Sequence, residues 1–264
     1  MNISGATNYG ATNSTINYKV ANLDISALQM ITDRAWADLQ ARLAEKGVRI
    51  EDREAFIAQH GEVYPATEAA STPDKPVYVE ENLGYTVRRY VVMAPTGMKL
   101  HPRGLGGMGA GNIGKRIEFV KNKVDGLAIG VMLNIADLES SGSGSSILRQ
   151  EGASTAAGEG MSLAGPTGYA VAIGHAEAGM LRMRKGFAVP GTFARFREVG
   201  GFDSQKDAVV RSLQIAGALA GVAANKSRVV DMEVDLDGPA TSRLALQGLA
   251  TFNKAVVEKI QTGP

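Results

Sequence analysis

An α/β (α+β) fold, a single domain with a mixed β-sheet flanked by helices, is predicted by three observations. Two segments carry long helical periodicity, at residues 26–46 and 239–260. Shorter segments between and before them alternate in the manner of strands. The two kinds interleave along the chain instead of segregating, which favours helices layered on a sheet. Two long Gly/Ser/Pro-rich insertions interrupt this pattern, and the domain is placed at 16–264, with irregular excursions near 61–84, 95–112 and 139–166.

Residues 1–15 are low in complexity, and the tetrapeptide Gly-Ala-Thr-Asn occurs at 5–8 and again at 10–13. Small polar side chains bury too little area to offset the entropy of ordering. A flexible N-terminal arm is therefore expected. Ile16 to Ile25 reads as a strand. Ser26 with Gln29 reads as a capping box opening a helix. Leu28, Ile31, Ala35, Leu39 and Leu43 fall on one face of that helix, and Gly47 supplies the left-handed stop. Val48 to Ile50 reads as a short return strand, and residues 52–60 as a short helix.

Tyr85 to Ala94 is a predicted strand halted by Pro95. A helix is expected from Ile113 to Val124. Leu127 to Asp137 alternates bulky Leu127, Ile129, Val131, Leu133 and Ile135 with mostly small residues, and is predicted as one strand. Tyr169 to Val189 reads as a long strand or bent pair broken by Gly174, Gly179 and Gly186. A helix follows at Asp203–Asn225, then a strand at Val229–Leu236. A terminal helix starts at Pro239, with Leu246, Leu249, Phe252, Val256 and Ile260 inward.

Composition narrows the chemistry. The 28 basic and 27 acidic residues leave a net charge of +1. That is no field for holding nucleic acid. With no cysteine, thiolate nucleophiles and cysteine-zinc sites are excluded. The absence favours an exported chain that avoids stray pairing. His60, His101 and His175 lie in three separate segments without metal-ligand spacing. No apolar run is long enough to span a membrane as a helix.

The segment Gly104 to Lys115 carries two overlapping phosphate-binding patterns. Gly109, Gly111 and Gly114 spell G-x-G-x-x-G, and Gly109, Gly114 and Lys115 spell G-x-x-x-x-G-K. Context weakens both. A P-loop needs a strand running straight into its first glycine and a Ser or Thr after the lysine; here Pro95 and Pro102 intervene and Arg116 follows Lys115. A nucleotide- or phosphate-ligand-binding enzyme using this loop is kept as the alternative reading.

The predicted strand at 229–236, extended through Asp237, sets Asp231, Glu233, Asp235 and Asp237 on one face. Neighbouring acids there lie ~7 Å apart, too far for one small metal to bridge unaided. Arg182 and Arg184 alternate in the complementary way. Cross-strand or intersubunit charge pairing is the expected use of Arg182, Arg184, Asp231, Glu233 and Asp235. No serine sits in a G-x-S-x-G elbow, no triad assembles, and no cofactor or metal is assigned.

The strand, helix and return strand from Asn17 to Ile50, together with Val124 to Leu133, resemble the bacterial outer-membrane-associated lipoproteins related to the curli secretion pore (the CsgG-like group). The resemblance covers about half the chain in pattern, and the chain lacks that group's lipidated cysteine. It implies a non-enzymatic, exported, self-associating protein. The expectation is therefore an extracytoplasmic structural or assembly protein in the periplasm, outer membrane or cell surface, its signal peptide removed. It forms a homo-oligomer, with other envelope proteins as further partners.

Overall fold

The computed structural model describes residues 2–9, 12–52, 55, 58, 71–82, 86–98, 126–135, 137–143, 152–158, 160–163, 169–173, 178–182, 186–203 and 226–262. Fourteen strands and two long helices are found there. The fold is α+β, with a mixed sheet. In chain order the first elements are β1 (Asn2–Tyr9), β2 (Thr12–Val20), α1 (Ile25–Glu45), β3 (Tyr78–Asn82) and β4 (Thr86–Val91). Next come β5 (Gly126–Gly130), β6 (Leu133–Asn134), β7 (Asp137–Ser143), β8 (Gly152–Gly158) and β9 (Met161–Leu163). The last are β10 (Tyr169–Ile173), β11 (Ala178–Arg182), β12 (Phe187–Val189), β13 (Ala194–Asp203), β14 (Lys226–Leu236) and α2 (Gly238–Thr262).

The main sheet has six strands in the order β13-β14-β2-β1-β4-β3. β14 runs parallel to β2; the other neighbours are antiparallel. Alternation along the strands sorts the two faces. Ile16, Tyr18, Val20 and Val234 point inward and are buried, with Phe196, Met232 and Leu236 packed against them. Ile31, Leu39 and Leu43 of α1, and Leu244, Leu249, Phe252 and Val256 of α2, belong to the same core cluster. The two helices therefore cover the inward face and touch each other. β9 and β12 lie against α2, where Gly248 lets the helix approach Leu163 and Val189 closely.

Asp24, not Ser26, caps α1. Its carboxylate accepts from the Ser26 N–H at 2.8 Å and the Ala27 N–H at 3.1 Å. Gln29 is consequently free of the expected capping box and reaches out of the helix to Ala94 and Thr96. The helix stops as expected. Gly47 has φ +74°, its N–H donates to the Ala44 carbonyl, and the Val48 N–H donates to Leu43. These two bonds form a Schellman motif. Val48 packs on the core, but residues 48–50 are not a strand. Of the predicted 52–60 helix, Ala55 and Ala58 are helical, Asp52 is not but accepts from the Ala55 N–H at 2.7 Å, and the rest lies outside the described residues.

Four further expectations meet a different outcome. The N-terminal arm is a hairpin, with Asn2–Tyr9 paired to Thr12–Lys19 and β2 at the centre of the main sheet. Backbone pairing supplies what the small side chains of the first fifteen residues do not. The excursion near 61–84 contains β3, anchored by buried Ser71, whose hydroxyl donates to the Val77 carbonyl and accepts the Val77 N–H. The single strand at 127–137 is divided among β5, β6 and the start of β7, in three different sheets. The connection at 139–166 holds most of a β7–β8 hairpin, which packs on β1 and β2, and then β9. The excursion at 95–112 and the predicted helices at 113–124 and 203–225 fall almost wholly outside the described residues, apart from a turn at 96–97.

Candidate functional site

The outward face of the main sheet gathers the charged residues. β14 turns Asp231, Glu233 and Asp235 to this face because Met232, Val234 and Leu236 are committed to the core. Register then fixes their neighbours. Arg197 on β13 is opposite Glu233, and Lys19 on β2 flanks Glu233 on the other side. A row of alternating sign, Arg197–Glu233–Lys19, thus crosses three strands. Arg195 is opposite Asp235 in the next row.

The Arg197 guanidinium forms an ion pair with the Glu233 carboxylate. Asp231 accepts a 2.8 Å hydrogen bond from the Asn17 amide. A similar linkage just past the end of β2 uses Asn22, whose amide donates to the Leu236 carbonyl and whose oxygen accepts the Leu236 N–H. Asp237 leaves the charged face and caps α2, accepting from the Ala240 N–H at 2.9 Å. Thr192, Ala194, Arg195, Asp235, Leu236 and Asp237 line an open depression at this corner.

The acidic column therefore stands where the alternation put it, beside a different pair of arginines. Arg182 lies on β11, whose strand neighbour is β10, in a three-stranded sheet with β5. Arg184 lies outside the described residues, as do Gly109, Gly111, Gly114 and Lys115 and all three histidines. The structure brings Asp231, Glu233 and Asp235 together with Arg195 and Arg197. The same Arg-x-Arg alternation that marked Arg182 and Arg184 is written at Arg195–Phe196–Arg197, and it was the signal available. Among the described residues, no three His, Asp or Glu side chains converge in a way that would hold a metal ion. No helix among them is long and apolar enough to cross a membrane.

Two further carboxylates tie the helices down. Asp33 accepts from the Thr96 N–H at 2.7 Å, the Thr96 hydroxyl at 2.8 Å and the Gln29 amide at 3.0 Å. Asp38 accepts from Arg42 at 2.8 Å and from Asn253 of α2 at 3.0 Å, while Asn253 also donates to the Ala35 carbonyl. Burial pushes both carboxyls up, but these donors outweigh it and hold both below the ordinary aspartate value. Carboxylates depressed on folding stabilise the protein above the unfolded aspartate range. That contribution is lost as pH falls through the lower folded values. Asp33→Asn and Asp38→Asn should each lower the melting temperature at pH 7 and flatten its decline below pH ~4. Thermal melts between neutral and acid pH check this; an unchanged acid slope in both variants counts against it.

Compared with protein-family models, with curated proteins and with solved structures, the chain matches none.

Proposed function

We propose that this chain is a non-enzymatic structural or assembly protein that associates with copies of itself outside the cytoplasm, at the bacterial envelope. The observation that carries the reading is the edge strand β13. It is ten residues long, and among the described residues its one strand neighbour is β14. Arg195 and Arg197–Gly201 are all exposed. Along its unbroken run, 194–198, ahead of the bulge between Glu198 and Gly200, such an edge is a template for another chain. The charged rows beside it supply specificity of contact more than raw affinity. The resemblance to the curli-pore-related lipoproteins points the same way, and to the same compartment.

Size-exclusion chromatography with light scattering on the purified chain should give a mass several times 27.7 kDa at micromolar concentration. A strictly monomeric profile would sink the self-association reading. Fractionation of the native cells should place the protein in the periplasmic or envelope fraction; recovery with cytoplasmic markers would overturn the compartment.

A further inference from the structure

We infer that the self-contact joins unlike edges of the main sheet: β13 of one copy pairs, in parallel, with β3 of the next. This rests on the self-association reading above and names the surfaces it uses.

Strand direction comes first. Following the sheet from β13 to β3, the senses alternate except at the parallel β14–β2 pair, so β13 and β3 run the same way. Copies placed side by side in one sense bring β13 against β3 as parallel neighbours with their outward faces continuous.

Length agrees. A bulge between Glu198 and Gly200 interrupts β13, leaving Val199 unpaired and 52% exposed. The register breaks there and resumes, shifted, at Gly200. The unbroken part of β13 is therefore 194–198, five residues, and β3 is also five residues long.

Charge agrees as well. In the unbroken part of β13, Arg195 and Arg197 face outward. On β3 the outward pair is Tyr78 and Glu80, opposite Val91 and Arg89 of β4. Tyr78 is 43% exposed, and Arg89 already lies over its ring at 4.9 Å from the centroid. Among the described residues, neither Arg195 nor Glu80 has an ion-pair partner. Parallel pairing in phase sets the two arginines beside an aromatic ring and a carboxylate, both favourable neighbours. The two-fold alternative, β13 antiparallel to β13, sets the arginines of both copies together, and like charges directly opposite are destabilising.

A contact between unlike edges leaves one of each edge open at every step. It builds a ring or an open filament instead of a closed dimer.

The absence of native cysteine makes the test direct. The full chain carrying Glu80→Cys and Arg197→Cys together is treated with a short bismaleimide, and denaturing electrophoresis reads the products. A ladder of dimer, trimer and higher species is expected from the double variant, with neither single variant passing the monomer. A dimer from Arg197→Cys alone would show like-edge pairing and overturn the inference. So would a double variant that fails to cross-link while light scattering still reports an oligomer, an outcome that leaves self-association standing. A monomer by light scattering removes both. Independently, Glu80→Arg should raise the concentration for half-assembly about tenfold, roughly one good ion pair. Adding Arg195→Glu and Arg197→Glu should restore it; equal weakening without rescue counts against the pairing.

Discussion

Phe193→Ala is expected to lower the unfolding free energy by about 3–5 kcal/mol. The ring is 2% exposed and meets Phe196 edge-on, with centroids 6.1 Å apart. Phe196 in turn meets Tyr18 of the central strand at 6.3 Å. Deleting the Phe193 ring leaves a cavity at the meeting of sheet and helix, and removes one of two linked edge-to-face pairs. Its backbone holds α2 as well: the Phe193 carbonyl accepts from the Asp237 N–H at 2.8 Å and the Thr241 hydroxyl at 3.1 Å. The substitution leaves those bonds in place, so the loss reports packing. Urea unfolding followed through the single tryptophan, Trp36, would measure it. A midpoint change worth less than about 1 kcal/mol would mean that the ring is not a core group.

Gly201→Ala follows with an expected cost of about 2–4 kcal/mol, from a different mechanism. Gly201 sits in β13 just past the bulge with φ +150°. A Cβ there would come within 2.2 Å of the Val229 carbonyl oxygen and 3.2 Å of the Val230 Cα. Those are backbone atoms of the neighbouring strand, so no side-chain rotation relieves the clash. The β13–β14 ladder has to part. Gly47→Ala is the contrast, with φ +74° but nothing within 4 Å of the added carbon. It should cost only the left-handed penalty, about 1–2 kcal/mol. If denaturant melts rank the two substitutions in the opposite order, the close approach at Gly201 is not real.

The parts of this fold that could be read from sequence are those whose burial pattern is strong over many residues. Both helices, and the buried faces Ile31–Leu39–Leu43 and Leu249–Phe252–Val256, follow from periodicity alone. Ile260 does not; it is 37% exposed, one turn beyond the last contact that buries α2. β4 and β14 were legible for the same reason in the two-residue period. β1 and β13 were not. β1 is built of small polar residues whose order comes from backbone pairing, and β13 is an edge strand with one committed face and a bulge. Alternation across 127–137 describes which side is bulky but not where the chain leaves one sheet for another. The acidic column was visible in Asp231, Glu233 and Asp235. Its partners were not, because register between β13 and β14 is set by pairing in three dimensions, and Arg182 and Arg195 offer the same local pattern.

The central pair β2 and β14 has a consequence for how the protein comes into being. Asn17 bonds Asp231 and Asn22 bonds Leu236 across 214 positions; Asn253 reaches Ala35 across 218. During synthesis, β2 and α1 emerge well before β14 and α2, the elements that they bond. Until residues 226–262 emerge, the core cluster that holds Tyr18, Val20 and Leu39 lacks the cover of β14 and α2. Contacts of this sequence separation make folding slow and leave partly built chains prone to association. A chaperone that shields β2 and α1 until β14 and α2 emerge is well matched to a core closed across such a separation.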